Sequence, residues 1–557
     1  MDEIVLSGPP TSFDASWIWS QFFGGPAQEA FSAAIGRAIA TRRWFGAKTK
    51  TIRTLDLLDA IPLDPNVRVV LLQIEFTEGQ GEVYQVPLAL AAGAKAQQFL
   101  EDPRAPVWAR VRWGDRQEAA VLFDGLEDVA VCQDLLHLLE TASRRPGMTG
   151  ELVAWRAPRF GLLRGDARTT LVAEMLQGEQ SNSSVVYGER LILKLFRRVE
   201  MGLNPDLEIS ARLAERGFPY VPPLAGGIEY RRAGHEPWAL AMAQGFVPNQ
   251  GDAWRYTLRR LEPFLERIVE DPADSPDVPR LPDDTLCDAA ERSIPSPVAR
   301  DFGAFLSDAG RLGARTAQLH LELAAESKDP AFAPEPFSED DRHSFAERAG
   351  TLARDAFQLL RNQLPRLPRE TSRDAAQLLT LEPTVNERFH RLASGPIHAF
   401  KIRCHGDYHL GQILVAGDDF FIIDFEGEPA RPLGERRNKQ LAARDVAGMI
   451  RSFHYASCSA ANETQKKMPQ ADPGRIENWT KAWYFWTSVA FLAAYRRTAA
   501  GAVFLPPSGQ EFERLLDACL LEKAIYELRY ELNNRPQWVH LPLQALRDLL
   551  GAAPHRT

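Results

Sequence analysis

Residues 404–412 read CHGDYHLGQ, and residues 420–426 read FFIIDFE. The first stretch places Asp407 in a short glycine-containing loop, and the amide side chain of Gln412 follows a few residues later. The second stretch is an apolar strand that ends in another aspartate, Asp424. Phosphoryl transfer from ATP needs this order of groups, because one carboxylate receives the proton of the attacking hydroxyl while an amide oxygen and a second carboxylate hold magnesium. The two stretches therefore predict a kinase.

These stretches also predict the role of each polar side chain. Asp407 is the predicted catalytic base. Gln412 and Asp424 are the predicted magnesium ligands, since carboxamide and carboxylate oxygens are hard donors. Glu426 is a further predicted ligand, with a solvated loop carboxylate as the alternative. His405 is interpreted as a residue that braces the loop rather than as a proton carrier.

The nucleotide site is predicted from a lysine in an apolar strand. Lys194 lies inside the run Leu191–Phe196 and fits the lysine that pairs with the α- and β-phosphates of ATP. A buried charge needs a partner, and Glu208 on the next predicted helix is the first choice. Glu200 and Asp206 compete with Glu208 for this role. A lysine that protects a strand edge is the structural alternative.

A turn that covers the phosphates is expected before that strand. Residues 178–184 read GEQSNSS, which is poor in glycine but rich in backbone and hydroxyl donors. Ser181, Asn182 and Ser183 are therefore predicted to bind phosphate, with an ordinary polar hairpin as the alternative. Met242, at the end of the predicted strand 238–242, completes the predicted nucleotide-binding set.

Three units are predicted along the chain. Residues 1–150 form a small α+β unit with helical runs at 29–41 and 129–139. Its strand-like runs at 67–76 and 82–90 are predicted to form a hairpin, and those at 107–113 and 118–123 form a second pair that turns at Gly114-Asp115. Residues 151–249 predict five short strands and the helix 205–216, as in the small lobe of a protein-kinase-like fold. Residues 250–557 are mostly helical and carry both loops, as in a large lobe. Within them, the acidic and proline-rich segment Glu270–Pro279 is predicted to be a mobile surface loop.

Composition limits the function classes. The net charge is −9, and no long basic run suggests nucleic-acid binding. The 5 cysteines are few and widely spaced, which fits reduced thiols rather than a disulfide framework or a zinc site. The start of the sequence shows no secretory signal, and no apolar stretch approaches the roughly 20 residues that span a bilayer. We expect a soluble, cytoplasmic protein that binds neither nucleic acid nor membrane.

Two aromatic stretches are candidates for sugar binding. Trp479, Trp483 and Trp486 recur at helical spacing, which favours a helix core over a stacking platform for a sugar ring. In the predicted helix 523–531, a polar face predicts a carbohydrate site, with a salt-bridged surface as the alternative. The candidate substrate-binding residues are His409, Tyr526, Glu527 and Tyr530.

Several motifs resemble those of bacterial maltokinases: HGDYHLGQ at 405–412, DFEGEP at 424–429, RWFGAK at 43–48, ARDVAGM at 443–449, and YE at 526–527 with NRP at 534–536. The resemblance implies a bilobal, protein-kinase-like fold of the α+β class, similar to aminoglycoside phosphotransferases, with an N-terminal cap domain. It also implies that ATP, with Mg²⁺, phosphorylates maltose at its anomeric hydroxyl to give maltose 1-phosphate. That product would feed α-glucan synthesis from trehalose, and trehalose synthase is the implied partner, as a complex or a fusion.

Two other function classes stay open. A kinase of the same fold acting on an amino sugar, such as a glucosamine kinase or an aminoglycoside phosphotransferase, would need extra carboxylates around its acceptor. A non-catalytic pseudokinase that serves trehalose synthase is the other class. The presence of Lys194, Asp407 and Asp424 argues against it.

Overall fold

The computed structural model describes residues 2–7, 12–102, 105–113, 119–176, 181–270, 277–429 and 431–551. The predicted turn at Gly114-Asp115, residues 178–180 of the predicted phosphate turn and residues 271–276 of the acidic segment lie outside these ranges. The chain divides into two compact units, one formed by residues 1–214 and 222–248 and the other by residues 215–221 and 249–557. Among the described helices, none combines the length and the apolar character that crossing a membrane requires.

The first unit begins with a mixed sheet of seven strands. Its strands are β1 (Asp2–Leu6), β2 (Ile52–Pro62), β3 (Val67–Phe76), β4 (Glu82–Ala91), β5 (Val107–Trp113) and β6 (Ala119–Asp124), and the seventh is a two-residue strand from later in the chain. The accompanying helices are α1 (Ala15–Phe22), α2 (Gln28–Ala40), α3 (Gly93–Glu101) and α4 (Val129–Thr141). The strand order is β1-β5-β6-β4-β3-β2, with β1 parallel to β5. The predicted hairpin of residues 67–76 and 82–90 is confirmed as β3 paired antiparallel with β4.

Strand β3 shows how this sheet is buried. Successive side chains of a strand point to opposite faces, and here both faces are covered. Val70 and Leu72 join a core made with helices α1 and α2, whereas Val69 and Leu71 join a core shared with the second sheet. Burial on both sides explains why β3 reads as an almost unbroken apolar run.

The second sheet of the first unit is antiparallel and also has seven strands, in the order β7-β8-β13-β14-β11-β10-β9. In chain order the elements are β7 (Arg144–Pro146), β8 (Glu151–Arg156), α5 (Phe160–Arg164), β9 (Ala173–Met175), β10 (Asn182–Tyr187), β11 (Leu191–Phe196), β12 (Arg198–Val199), α6 (Pro205–Arg216), β13 (Leu224–Arg231) and β14 (Trp238–Gly245). Strand β12 belongs to the first sheet, where it pairs with β4.

The five predicted strands are present as β9, β10, β11, β13 and β14, but the described sheet contains two more. The two extra strands, β7 and β8, form a hairpin at one edge, and β8 pairs with β13. Both are short, and the partner strand lies far along the chain, so local periodicity carries little signal for them. The predicted domain boundary at residue 150 falls inside this hairpin.

The second unit is mostly helical, as predicted. Its helices are α7 (Ala253–Glu270), α8 (Leu286–Ala290), α9 (Ser296–Leu323), α10 (Glu339–Gln363), α11 (Arg369–Leu379), α12 (Glu382–Ala393), α13 (Leu433–Arg436), α14 (Ala443–Lys467), α15 (Pro473–Thr498), α16 (Gly509–Asn534) and α17 (His540–Gly551). Its described residues also form two small antiparallel sheets of two strands each. One pairs β15 (Glu335–Pro336) with β16 (Phe400–Lys401), and the other is the hairpin of β17 (Ile413–Ala416) with β18 (Asp419–Ile422).

The tryptophan stripe lies on α15 and is core. Trp479, Trp483 and Trp486 are at most 5% exposed. Trp479 packs edge-on against Phe264 of α7 and Phe302 of α9. The core interpretation is confirmed, and buried rings of this kind cannot serve as a platform for a sugar.

Candidate active site

The loop that carries Asp407 is held by a buried carboxylate from α14. Asp445 accepts hydrogen bonds from the backbone N–H groups of His405 and Gly406 at 2.8 and 3.0 Å. His320 of α9 contacts the same carboxylate through Nε2 at 3.0 Å. Burial alone raises the pKa of Asp445, but the hydrogen bond and charge of His320 and the backbone donors outweigh it and lower that pKa. The carboxylate therefore stays ionised and fixes the loop backbone.

A glycine lets the loop approach α14 this closely. A Cβ atom at Gly448 would lie 2.6 Å from the carbonyl oxygen of Tyr408. Any other residue at this position would push the loop away from the helix. Gly448 and Asp445 both come from the motif at 443–449, so one turn of α14 sets the position of Asp407.

The His405 ring braces the loop, as the sequence predicts. Its Nε2 lies 2.9 Å from the carbonyl oxygen of Ile423, and its Nδ1 accepts a long 3.4 Å hydrogen bond from the N–H of Asp407. A carbonyl only accepts and an amide N–H only donates, so these contacts assign the ring proton to Nε2. The ring thus links the base loop to the strand end that precedes Asp424.

The two predicted magnesium ligands of the second unit lie in contact. The side-chain amide group of Gln412 donates a hydrogen bond to Asp424 Oδ2 at 2.9 Å. The backbone N–H of Ile423 donates to the backbone carbonyl oxygen of Gln412 at 3.0 Å. Asp424 has φ +69°, a left-handed conformation that is rare outside glycine and is a frequent mark of functional sites. Because the side-chain N–H of Gln412 points to Asp424, its side-chain oxygen is left to bind a metal. The Gln412 amide oxygen and the Asp424 carboxylate are hard oxygen donors and fit Mg²⁺. Glu426 is half-buried close by in sequence.

A lysine from α16 stands beside the predicted base. Lys523 Nζ is 3.6 Å from Asp407 Oδ1 and 3.5 Å from Glu428 Oε1. Burial alone lowers the pKa of Lys523, but the Asp407, Glu428 and Glu527 carboxylates outweigh it and raise that pKa. Burial alone would raise the pKa of Glu428, but the positive charges of Lys523, Arg431 and Arg444 outweigh it and lower that pKa. Lys523 is therefore a cation at neutral pH.

His409 lies on the other side of Asp407. Its Nδ1 accepts from the Gly411 N–H at 3.1 Å, and its Nε2 is 3.9 Å from Asp407 Oδ2. Burial is the largest cause of its lowered pKa, and the positive charge of Lys523 adds to it, against the opposing effect of Asp407. The imidazole is neutral at pH 7 and presents an N–H toward the base.

A recess opens next to Asp407, with an empty volume of about 510 Å³ including its mouth. It is lined by charged and aromatic side chains, among them Tyr408, Glu428, Arg431, Arg444, Glu522, Lys523 and Tyr526. Of the predicted substrate-binding residues, Tyr526 therefore faces the recess. Tyr530 stacks on Tyr526, with ring centroids 6.5 Å apart, and is 44% exposed.

Glu527 has a structural partner. Its Oε2 accepts from Arg451 Nε and Nη2 at 2.9 and 2.7 Å, and Arg451 is buried in α14. This ion pair joins α14 to α16 and is largely buried, whereas the alternative that the sequence offered for this face was a salt-bridged surface. The assignment of Glu527 to the sugar stays a prediction.

In the first unit, Lys194 has a carboxylate partner on α6. Its Nζ is 2.8 Å from Asp206 Oδ2, and Asp206 is 1% exposed. Asp206 was one of the two competing candidates of the sequence, and Glu208 on the same helix stays a predicted partner. Lys194 stands opposite Ser184 of β10 and Met242 of β14 in the sheet register.

The register separates the predicted phosphate-binding residues. Residues opposite each other share a face, so Ser184 and Met242 share the face of Lys194 and Ser183 lies on the other face. The Ser183 hydroxyl accepts from Arg197 Nε at 2.8 Å, and Arg197 is buried and ion-paired with Asp124. The side chain of Ser183 therefore lies on the face opposite to Lys194 and is hydrogen-bonded to Arg197. Only its backbone is left for the predicted phosphate contact, together with Ser181 and Asn182.

Sequence reasoning assigned no individual role to Lys523, Glu428, Asp445 or His320. Asp445 carried a signal, because a carboxylate on the apolar stretch 443–450 needs a buried partner. Lys523 begins the predicted helix 523–531, but its approach to Asp407 was not predicted, because only the folded chain brings α16 to that loop.

Comparison with known proteins agrees with this architecture. Residues 39–128 match the family model described as the maltokinase N-terminal cap domain. A glucosamine kinase of Streptacidiphilus jiangxiensis is 28% identical over 378 residues, which covers 67% of this chain and 72% of that protein. A glucosamine kinase of Mycolicibacterium smegmatis (strain ATCC 700084 / mc(2)155) is 24% identical over 419 residues, 74% of this chain and 87% of that protein.

The solved structure of a glucosamine kinase in complex with glucosamine, ADP and inorganic phosphate superposes with a TM-score of 0.56 and 20% identity, covering 92% of this chain and 99% of that one. The chain therefore has a kinase-like fold with an N-terminal cap. Over residues 39–128 the chain resembles the N-terminal cap domain of maltokinases.

Proposed function

We propose that this chain transfers the γ-phosphoryl group of ATP to a sugar hydroxyl. The observation that carries the proposal is the fixed geometry around Asp407, whose loop is held by Asp445 and whose His405 brace reaches the strand before Asp424. In this scheme Asp407 accepts the proton of the attacking hydroxyl. The solved relative that holds glucosamine, ADP and phosphate supports nucleotide binding by this fold.

The nucleotide residues are proposed separately in each unit. In the first unit, Lys194 contacts the α- and β-phosphates, and Asp206 keeps its charge oriented. In the second unit, Gln412 and Asp424 hold Mg²⁺, with Glu426 as a further ligand. When bound, the metal neutralises charge on the phosphate oxygens.

We propose maltose as the acceptor, phosphorylated at its anomeric hydroxyl to give maltose 1-phosphate. The cap-domain match and the maltokinase-like motifs support this choice. The charges of the recess support it as well, because Glu428 is paired with Arg431 and Lys523, and Glu522 with Arg444. A neutral disaccharide leaves these pairs in place. A supply of maltose from trehalose through trehalose synthase, and use of the product in α-glucan synthesis, belong to the same proposal.

Glucosamine is the second candidate acceptor. Two curated relatives are glucosamine kinases, and a solved one contains glucosamine. An amino sugar would need a carboxylate for its ammonium group, and here it would have to displace one of the cations that already pair with Glu428 or Glu522. We therefore place maltose first.

The deciding experiment is a coupled ADP-release assay over matched acceptors. We expect turnover with maltose and none with trehalose, whose anomeric positions are both blocked. Methyl maltoside is expected to fail as a substrate and to inhibit competitively. Turnover of methyl maltoside would mean that another hydroxyl is attacked. Strong preference for glucosamine or kanamycin over maltose would favour an amino-sugar kinase, and no turnover with any acceptor would favour a non-catalytic protein.

A further inference from the structure

The position of Lys523 bears on acceptor choice, beyond the general chemistry of the base. It comes from α16, far from Asp407 in the chain, yet its ammonium lies within 3.6 Å of Asp407 and of Glu428. Its side chain is 24% exposed, so the charge borders the recess rather than being sealed in the core. The Tyr526 ring lies below it, with its centroid 5.0 Å from Nζ.

The contacts of this ammonium are long. Distances of 3.5 and 3.6 Å to Glu428 and Asp407 exceed the usual 2.7–3.2 Å range of a hydrogen bond from nitrogen to oxygen. An ammonium carries three N–H donors. When an oxygen of an acceptor sugar binds beside Asp407, the Lys523 ammonium can therefore donate a hydrogen bond to it. The ammonium loses no short hydrogen bond to Asp407 or Glu428 in doing so.

The same charge opposes a cationic acceptor. An ammonium group on a sugar bound next to Asp407 would compete with Lys523 for Asp407 and Glu428, and the two like charges would repel each other across a partly desolvated recess. Arg431 and Arg444, which also line this recess, add to that repulsion.

We propose that Lys523 selects the acceptor: its ammonium donates to an oxygen of a neutral sugar beside Asp407 and excludes sugars that carry an ammonium group. This rests on the proposed sugar-kinase function and specifies the chemical class of its acceptor. Tyr526, which faces the recess under the Lys523 charge, supplies the apolar wall against which a neutral ring packs.

The test uses glucose and glucosamine, a pair of acceptors that differ only in a hydroxyl and an amine at one carbon. Binding of each, and of maltose, is measured by calorimetry in the presence of ADP and Mg²⁺, and kcat and KM are measured in parallel. We expect the wild-type protein to bind glucose at least about 10-fold more tightly than glucosamine. Lys523→Met should reduce that ratio by about 10-fold or more and raise KM for maltose more than it lowers kcat.

Two further variants separate charge from folding. Lys523→Arg keeps the cation and should retain the preference for glucose. Lys466→Met, at a lysine of α14 whose side chain is 71% exposed, makes the same substitution away from the recess and should leave the ratio unchanged. Circular dichroism and thermal denaturation show whether Lys523→Met folds. If Lys523→Met does not fold, Lys523→Gln replaces it as the uncharged variant. Its binding ratio is then compared with the ratios of the wild type and of Lys523→Arg.

The outcomes distinguish this inference from the proposed function. A wild-type preference for glucosamine, an unchanged ratio in Lys523→Met, or no binding of either sugar overturns the role of Lys523. An equal loss for both sugars would also overturn it, because Lys523 would then only orient Asp407. If maltose is not phosphorylated but the ratio responds to the charge as expected, the choice of maltose fails and the role of Lys523 stands.

Discussion

The side-chain amide of Gln412 donates a hydrogen bond to Asp424 Oδ2 at 2.9 Å. Gln412 ends the turn 410–412 that leads into β17, and Asp424 follows β18, the partner of β17 in a tight hairpin. The hairpin therefore returns the chain to its starting point and places the two predicted ligands side by side. The left-handed backbone of Asp424, φ +69°, turns the chain sharply where its carboxylate meets Gln412.

The first prediction concerns metal binding. Asp424→Asn removes the charge but keeps the shape, so the affinity for ATP in the presence of Mg²⁺ should fall by about 10-fold or more. Affinity for ATP in the presence of a chelator should change little. Titration of ATP with and without Mg²⁺ measures both. Asp418→Asn, at an exposed carboxylate of the same hairpin, is the control. Equal affinities of Asp424→Asn and wild type for the magnesium complex would contradict the assignment.

The second prediction concerns the base. Asp407→Asn preserves the loop, because its backbone contacts with His405 do not involve the carboxylate. It should lower kcat by about 100-fold or more while ATP binding is retained. Steady-state kinetics with maltose and a direct ATP titration check the two parts. Turnover close to that of the wild type would rule out Asp407 as the base.

The third prediction concerns the phosphate lysine. Lys194→Ala should raise KM for ATP and lower kcat, since a contact present in both the ground state and the transition state is lost. Combined with Asp206→Ala, the loss should be less than additive, with a coupling energy of about 1 kcal/mol or more, because the 2.8 Å ion pair is broken only once. The same cycle with Glu208→Ala ranks the two carboxylates. Full additivity with Asp206 and coupling with Glu208 would reverse the assignment.

The local arrangement of the predicted base and magnesium ligands was readable from the sequence. Asp407, Gln412 and Asp424 lie on one loop, one turn and one hairpin, so short-range spacing determines their geometry. The strands β3 and β4 were equally accessible, because each is a long apolar run bounded by turn residues. The tryptophans of α15 followed from helical periodicity alone.

Contacts between distant segments were not readable. Lys523 reaches Asp407 only because α14 and α16 pack together through pairs such as Arg451 with Glu527. The separation of Ser183 from Lys194 depends on which residue of β10 stands opposite Lys194. A shift of one residue would exchange the faces, and the sequence does not specify that register.

The last prediction concerns Asp59, a fully buried carboxylate of β2 that connects the two sheets of the first unit. It accepts hydrogen bonds from the backbone N–H groups of Met148, Thr149 and Gly150 in the β7–β8 turn, at 2.6, 3.1 and 2.8 Å, and from the Tyr230 hydroxyl at 2.8 Å. Burial alone raises the pKa of Asp59, but Tyr230 and the backbone donors outweigh it and lower that pKa below its usual value of 3.8.

Because the pKa of Asp59 is lower in the folded chain than in the unfolded chain, its ionisation stabilises the fold above pH 3.8, and this contribution is lost as the pH falls through the folded value. Asp59→Asn should therefore lower the free energy of unfolding by about 2–4 kcal/mol at pH 7, since one amide cannot accept all these hydrogen bonds. The difference from wild type should shrink below about pH 4. Thermal denaturation of the full chain between pH 7 and pH 3 measures this, with the exposed Asp56→Asn of the same strand as the control. A difference that stays constant across this range would mean that packing, rather than the carboxylate charge, explains the loss.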